Sequence, residues 1–120
     1  MVSLIDQINK TRGTIISDPN EADAFAWAAL EPKAPLVQIA FKHPPLPENG
    51  VRINITYTGV CQSDVSLLRD KYGKLVPTVF PCVCKHEIVG RVIATGKQVT
   101  NLKEGDLVGV GPKRECCSQC

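Results

Sequence analysis

The most constraining feature of the sequence is a run of strict alternation, V-R-I-N-I-T-Y-T, that begins at Val51. Apolar side chains alternate with polar ones throughout this run, and a period of two is typical of a β-strand with one buried face. We predict a strand over residues 51–60. It delivers Gly59 and Cys61 at its end.

A short helix is predicted directly after this strand. Ser63 and Asp64 are residue types that favour a helix start, and Leu67 and Leu68 are expected to face inward. The helix should close near Lys71 and Gly73, because glycine commonly follows a helix end. Cys61 is therefore expected at a strand-to-helix junction.

The remaining pattern indicates a mainly β domain. Prolines at positions 77 and 81 favour an irregular loop over residues 74–84, since proline cannot continue a regular helix. In the apolar run over 24–30, Trp27 is expected to be a core residue, while His43 between lysine and two prolines is expected to be solvated. Further strands are predicted at 24–30, 36–42, 87–95 and 107–110.

Residues 1–22 are interpreted as an N-terminal extension to a domain at residues 23–120. Ser3 and Asp6 with the apolar Leu4, Ile5 and Ile8 indicate a short helix, and turn chemistry at residues 17–20 separates it from the rest. Such a small apolar face cannot fold alone. A frayed terminus and a partner-docking helix are both open alternatives.

Charge and composition exclude several classes of function. A chain of 120 residues can form one domain with a core that needs no disulfides. The net charge of +2 is mixed along the chain, so no basic face predicts nucleic-acid binding. No apolar run approaches the ~20 residues of a membrane span. Six cysteines without a secretory signal favour a cytoplasmic or another reducing intracellular compartment.

Cys61, His86 and Glu87 supply the three ligand types of a catalytic zinc ion. Zinc accepts sulfur, nitrogen and oxygen donors, and this spacing requires tertiary folding rather than a local zinc-finger loop. Ordinary packing of a cysteine is the alternative on chemistry alone. A less favoured metal site would join Cys82, Cys84 and His86, a C-x-C-x-H pattern, with Cys61.

Four ordered motifs carry a resemblance to a known family. G-V-C-Q-S-D at Gly59, H-E-I-V-G at His86, G-D-L-V-G-V-G at Gly105 and C-C-S-Q-C at Cys116 occur in this order. Together they resemble the catalytic half of the zinc-dependent medium-chain alcohol dehydrogenases, in the cinnamyl alcohol dehydrogenase-like branch. The resemblance implies a GroES-like partly open β-barrel with one or two short helices.

The resemblance also implies roles for individual residues. Cys61 and His86 match catalytic-zinc ligands, and Glu87 lies where a carboxylate enters or leaves the coordination shell. Ser63 matches the hydroxyl that relays the alcohol proton, and Asp64 matches the acceptor that orients the ligating histidine. Helix capping is an alternative role for both Ser63 and Asp64.

Other matched positions are incomplete or altered. Cys117 and Cys120 match the first two of four cysteines that hold the family's structural zinc. Gln62 stands where a basic residue often helps hold the cofactor phosphates, and Lys85 stands where a glycine precedes His-Glu. A cation beside His86 disfavours a second cation nearby unless the lysine points away. Cys84 stands where proline is common.

Two functions therefore remain open from the sequence. The chain is the N-terminal catalytic-domain portion of a zinc-dependent, NADP-type alcohol dehydrogenase, or a catalytically inactive, repurposed domain that serves as a structural or interaction subunit. Gly109-Val110-Gly111 lacks a third glycine and precedes Pro112, so we predict no Rossmann domain in this chain and no activity from it alone. A protein partner or self-association is expected at the surface that would face the cofactor domain.

Overall fold

The computed structural model describes residues 14–75 and 77–113. The predicted helix near residue 3 and the cysteines at positions 116, 117 and 120 lie outside the described residues. Every strand pair within them is antiparallel. The elements, in chain order, are β1 (Thr14–Ile16), a 3-10 turn (Pro19–Glu21), β2 (Ala24–Ala28), β3 (Val37–Lys42), β4 (Val51–Thr58), α1 (Gln62–Leu68), β5 (Ile88–Thr95) and β6 (Leu107–Val110).

Among the described residues, those of the ranges 14–45 and 66–84 form one compact unit, which contains the first sheet. The sheet has the strand order β1-β3-β2, with Thr14 opposite Lys42 and Ala28 opposite Val37. The sequence did not predict β1, whose three residues show no clear alternation. Because β1 pairs with β3, this sheet extends across the predicted boundary at residue 22, which itself stays a prediction.

Strand β2 exposes its aromatic side chains, so the prediction that Trp27 is a core residue is wrong. Trp27 is 62% exposed, whereas Ala28 on the other face is fully buried. In an alternating strand the small alanines occupy the inner face and the two aromatic residues the outer one. His43 is also more engaged than predicted, since its Nδ1 lies 2.9 Å from Oδ1 of Asp23.

The described residues of the ranges 46–65 and 85–113 form the second compact unit, and its sheet has the strand order β4-β5-β6. Val92 in the central strand is 2% exposed and lies opposite Ile53. Neither of the two sheets closes on itself within the described residues. The prediction of a mainly β, partly open GroES-like fold is confirmed by this architecture and by the structural matches given below.

The half-buried face predicted for β4 does not extend along the whole strand. The pairing with β5 shifts register between Ile55 and Tyr57, which is the signature of a β-bulge. One extra residue moves the following side chains to the opposite face. Tyr57 is consequently 75% exposed and lies opposite Val89, which is also exposed.

Helix α1 ends earlier than the sequence predicted. Asp70 has φ of 48°, and the Lys71 N–H donates to the Ser66 carbonyl at 2.9 Å. This is the left-handed residue and the six-to-one hydrogen bond of a Schellman ending, here with aspartate in place of the usual glycine. The following loop is irregular, as predicted from its prolines. No helix among the described residues is long and apolar enough to cross a membrane.

Candidate metal centre

Antiparallel pairing of β4 with β5 brings the two motif segments together. Thr58, the last residue of β4, lies opposite Ile88, the first residue of β5. The pairing continues one step beyond both strands, because the Gly59 N–H donates to the Glu87 carbonyl at 2.7 Å. The segment after β4 and the segment before β5 therefore meet at one end of this sheet.

Gly59 permits this close approach. A Cβ atom built on Gly59 would lie 2.8 Å from Cβ of Glu87 and would also collide with its carboxylate. Any larger residue at this position would push the two segments apart. A steric requirement thus explains the glycine of the first motif, and this requirement does not depend on a bound ion.

The three predicted metal ligands converge at this end of the sheet. One ligand atom each from Cys61, His86 and Glu87 lies within 4.8 Å of the others. Zinc bonds of about 2.0–2.3 Å place ligand atoms somewhat under 4 Å apart, which the separations in this group exceed by about 1 Å at most. Glu87 is exposed, whereas Cys61 and His86 are half-buried, so the Glu87 carboxylate has more room to adjust than the other two groups. Their role as ligands stays a prediction.

Ser63 lies between the thiol and the imidazole. Its hydroxyl donates to Sγ of Cys61 at 3.1 Å, and its Oγ lies 3.2 Å from Nε2 of His86. Because Ser63 is the second residue of α1, the helix start aims its side chain at the two ligands instead of capping the helix. A hydroxyl in this place can both accept and donate a proton.

Asp64 combines the two roles that the sequence left open. Its Oδ2 accepts a hydrogen bond from the Cys61 backbone N–H at 3.1 Å, which caps the start of α1. Its Oδ1 lies 3.1 Å from Nδ1 of His86 but accepts no aligned hydrogen bond from the described residues. Asp64 is 5% exposed, so it holds a buried negative charge behind the imidazole.

Lys85 is the site residue whose contacts the sequence did not predict. Its Nζ donates to Oδ2 of Asp64 at 3.0 Å and to the Gly59 carbonyl at 3.2 Å. The ammonium group therefore neither points away from the site nor faces the ligand atoms, the two possibilities that its position suggested. The available signal for this pair was that Lys85 directly precedes His86, the residue that Asp64 was expected to orient.

These contacts shift two protonation equilibria. Hydrogen bonding by Ser63, supported by His86, lowers the pKa of the Cys61 thiol below its ordinary value. Burial acts to raise the pKa of Asp64, but the Cys61 N–H and the Lys85 ammonium together outweigh it and lower that pKa. Both shifts favour the negatively charged forms near neutral pH.

The donor set fits a zinc ion. Thiolate, imidazole and carboxylate are ligands that zinc accepts, and a protein site with three of them leaves a position for a substrate oxygen. Asp64 faces Nδ1 of His86, which leaves Nε2 as the nitrogen on the side of Cys61 and Ser63. The Lys85 ammonium neutralises the negative charge of Asp64. The negative charges of the Cys61 thiolate and the Glu87 carboxylate are therefore left to balance the two positive charges of a zinc ion.

The other predicted site residues lie elsewhere or outside the described part. Gln62 is exposed at the first position of α1. Cys82 and Cys84 are buried and do not belong to the ligand group found in residues 14–75 and 77–113, which favours packing over the C-x-C-x-H site. Cys117 and Cys120 lie outside the described residues, and their zinc role stays a prediction.

Comparison with known protein families gives one match that covers most of the chain. Residues 47–120 match the alcohol dehydrogenase GroES-like domain. Aldehyde reductase YahK of Escherichia coli (strain K12) is 44% identical over 95 residues, which is 79% of this chain and 26% of that protein. The chain therefore spans about a quarter of the length of the curated relatives it matches.

Two solved structures resemble the fold. The cinnamyl alcohol dehydrogenase SbCAD4 from Sorghum bicolor matches with a TM-score of 0.74 and 32% identity, over 81% of this chain and 27% of that one. A cinnamyl alcohol dehydrogenase from Helicobacter pylori, solved in complex with NADP(H), matches with a TM-score of 0.68 and 28% identity, over 80% and 27%.

Proposed function

The chain belongs to the alcohol dehydrogenase GroES-like domain family, and on that premise we propose that it is the N-terminal, metal-binding portion of a zinc-dependent, NADP-type alcohol dehydrogenase. The observation that carries the proposal is the convergence of Cys61, His86 and Glu87 within 4.8 Å, with the Ser63 hydroxyl against two of them. The substrate class is a primary alcohol or its aldehyde.

Each residue of the site has a part in this proposal. Cys61 and His86 would hold the zinc ion, and Glu87, the exposed carboxylate, would be a third ligand able to exchange with the substrate oxygen. When bound, zinc would supply Lewis-acid polarisation of the alcohol or aldehyde oxygen. Ser63 would relay the alcohol proton, accepting it at Oγ while its own hydroxyl proton passes on to solvent. Asp64 lies against Nδ1 of His86, so Nε2 is the nitrogen left for the ion.

The nicotinamide cofactor belongs to the part of a longer protein that this chain does not span. The relative solved with NADP(H) is matched over 27% of its length. In this chain only Gln62, exposed at the start of α1, stands at a position that the family uses for cofactor phosphates. We propose NADP as the cofactor of a complete enzyme that includes a further dinucleotide-binding domain.

Zinc binding by the 120-residue chain tests this proposal directly. After dialysis against zinc, the chain should retain one ion that depends on Cys61, and zinc should slow alkylation of Cys61 by iodoacetamide. The His86→Ala variant should lose both effects because it removes one of two firm ligands. His43→Ala is the matched control, since His43 pairs with Asp23 instead. Equal retention by the wild type and His86→Ala would contradict the proposed ligand set.

A second candidate function is favoured by an exposed apolar face on the β4-β5-β6 sheet. Tyr57 lies opposite Val89, and Leu107 lies opposite Arg91, so these side chains share one side with Ile93. Tyr57, Leu107 and Ile93 are 75%, 63% and 50% exposed. In this alternative the chain is a catalytically inactive domain that binds a protein partner or a second copy through this face.

Light scattering after size-exclusion chromatography distinguishes the second candidate. Self-association through this face predicts a mass above that of one chain, and the double variant Tyr57→Ser/Leu107→Ser should return it to the monomer. Leu75→Ser is the control, because Leu75 is 89% exposed outside this sheet. A wild-type chain that is monomeric at high concentration and also binds zinc would favour the first candidate.

A further inference from the structure

We infer that the Lys85 ammonium is the counter-cation of the Asp64 carboxylate and holds the site together in the absence of zinc. Because it offsets the negative charge of Asp64, Lys85 also weakens zinc binding. The inference rests on the proposed zinc site at Cys61, His86 and Glu87. It assigns to Lys85 a positioning role.

The first step is that the Lys85 ammonium connects both segments of the site. It donates to the Gly59 carbonyl at the end of β4 and to Asp64 on α1, while its own backbone precedes His86. The side chain of Lys85 is 33% exposed and that of Asp64 is 6% exposed, so the ion pair is partly shielded from water. A shielded pair of this kind holds its geometry better than a surface pair.

The second step is that the Asp64 carboxylate is shared between Lys85, the Cys61 backbone and His86. Lys85 and the Cys61 N–H both donate to Oδ2, while Oδ1 faces Nδ1 of His86 at 3.1 Å without an aligned hydrogen bond. A carboxylate behind a ligating histidine strengthens metal binding by orienting the ring and raising its basicity. The Lys85 charge on the same carboxylate reduces that effect.

The third step is electrostatic. The Lys85 ammonium offsets the negative charge of the Asp64 carboxylate, so that carboxylate attracts a dication on His86 less strongly than it would without the lysine, and the difference is larger where water is partly excluded. Removing the Lys85 charge should therefore increase zinc affinity. It should also destabilise the zinc-free chain, because the buried Asp64 carboxylate would lose its cationic partner.

The test compares Lys85→Met, Asp64→Asn and the double variant with the wild type. Methionine keeps an unbranched apolar stem but lacks the charge. Zinc affinity is measured by competition with a chromophoric chelator at neutral pH, and zinc-free stability by thermal unfolding. Lys97→Met is the matched control, since Lys97 is an exposed lysine in the turn after β5.

Lys85→Met should bind zinc about tenfold more tightly than the wild type. This is the lower end of the roughly ten- to hundredfold by which residues surrounding the ligands change metal affinity. Its zinc-free melting temperature should fall by about 4–8 °C. In the Asp64→Asn background the same lysine substitution should change neither quantity, because the effect acts through that carboxylate. Lys97→Met should behave as the wild type.

Unchanged or weaker zinc binding by Lys85→Met, or an equal gain in the Asp64→Asn background, would overturn the inference. If Lys85→Met does not fold without zinc, the double variant must restore folding, and failure to do so counts against the inference. A wild-type chain that binds no zinc overturns the proposed metal site instead. The zinc-free melting temperatures then still decide whether Lys85 is the counter-cation of Asp64.

Discussion

At the scale of single residues, the site depends on two positions that are not themselves ligands. Gly59 allows the chain after β4 to contact Glu87, and Asp64 joins the start of α1 to His86. One of these roles is steric and the other is electrostatic. Each predicts a measurable effect on the stability of the chain.

The Gly59→Ala variant should be less stable than the wild type. The added Cβ would lie 2.8 Å from Cβ of Glu87, so the backbone of one segment must move. Overpacking of this kind costs about 1–3 kcal/mol, which urea denaturation measures. Gly111→Ala is the control, because nothing lies within 4 Å of a Cβ at that position. Equal loss in both variants would show that the close approach at Gly59 is not responsible.

Asp64 should make stability depend on pH in the acidic range. Its pKa is lower in the folded chain than the ordinary value of about 3.9, so its contribution is fully present above that value. The contribution is lost as the pH falls through the lower folded pKa. The stability advantage of the wild type over Asp64→Asn should therefore shrink as the pH falls below about 4.

Urea denaturation of both chains between pH 7 and pH 3 measures this difference. Glu104→Gln serves as the control, because Glu104 is exposed and a surface charge contributes little at any pH. A constant difference between the wild type and Asp64→Asn across this range would exclude Asp64 as a source of acid sensitivity.

At the scale of elements, strand β5 organises the second sheet. It pairs with β4 on one side and β6 on the other, and its first residue directly follows Glu87. Its side chains alternate between a buried face with Val92 and an exposed face with Val89 and Ile93. The same strand therefore positions the candidate metal ligands at one end of the sheet and carries the apolar face of the second candidate function.

Substitutions at adjacent positions of β5 should separate these two faces. Val92→Ala removes two methyl groups from a side chain that is 2% exposed, which should cost about 1–3 kcal/mol of unfolding free energy. Ile93→Ala, at a side chain 50% exposed, should cost less than about 0.5 kcal/mol. If urea denaturation showed a larger loss of stability for Ile93→Ala than for Val92→Ala, the face that carries Ile93 would be packed against other atoms in solution.

At the scale of the whole molecule, the chain is an alcohol dehydrogenase GroES-like domain whose described residues do not form the usual means of holding a dinucleotide. That means is a parallel βαβ unit with a glycine-rich turn. Here β6 is antiparallel to β5, and Gly109, Gly111 and Pro112 form its end. The chain spans about a quarter of the relatives it matches.

The 120-residue chain should therefore not bind NADPH at micromolar concentrations. Isothermal titration calorimetry should show no saturable heat, and mixtures with an aldehyde should show no loss of NADPH absorbance. Zinc-loaded and zinc-free chains should behave alike, because the missing contacts are those to the phosphates. Saturable binding near one to one would contradict this prediction and place a dinucleotide site within the chain.

The sequence by itself determined the family, the fold class and most strands, because motif order and alternation are local properties of the chain. It also proposed Cys61, His86 and Glu87 as one group from ligand chemistry, and the resemblance added Ser63 and Asp64. Their proximity follows from the pairing of Thr58 with Ile88, which joins positions 30 residues apart. No local pattern contains that register.

Only the tertiary structure decided which face each side chain occupies and which partner each charge takes. A bulge after Ile55 moved Tyr57 to the exposed face, and alanines took the inner face of β2 from Trp27. Lys85 reached Asp64 and the Gly59 carbonyl because folding brought three segments to one end of a sheet. Side-chain burial and ion pairing depend on neighbours distant in sequence, so alternation and residue type alone do not specify them.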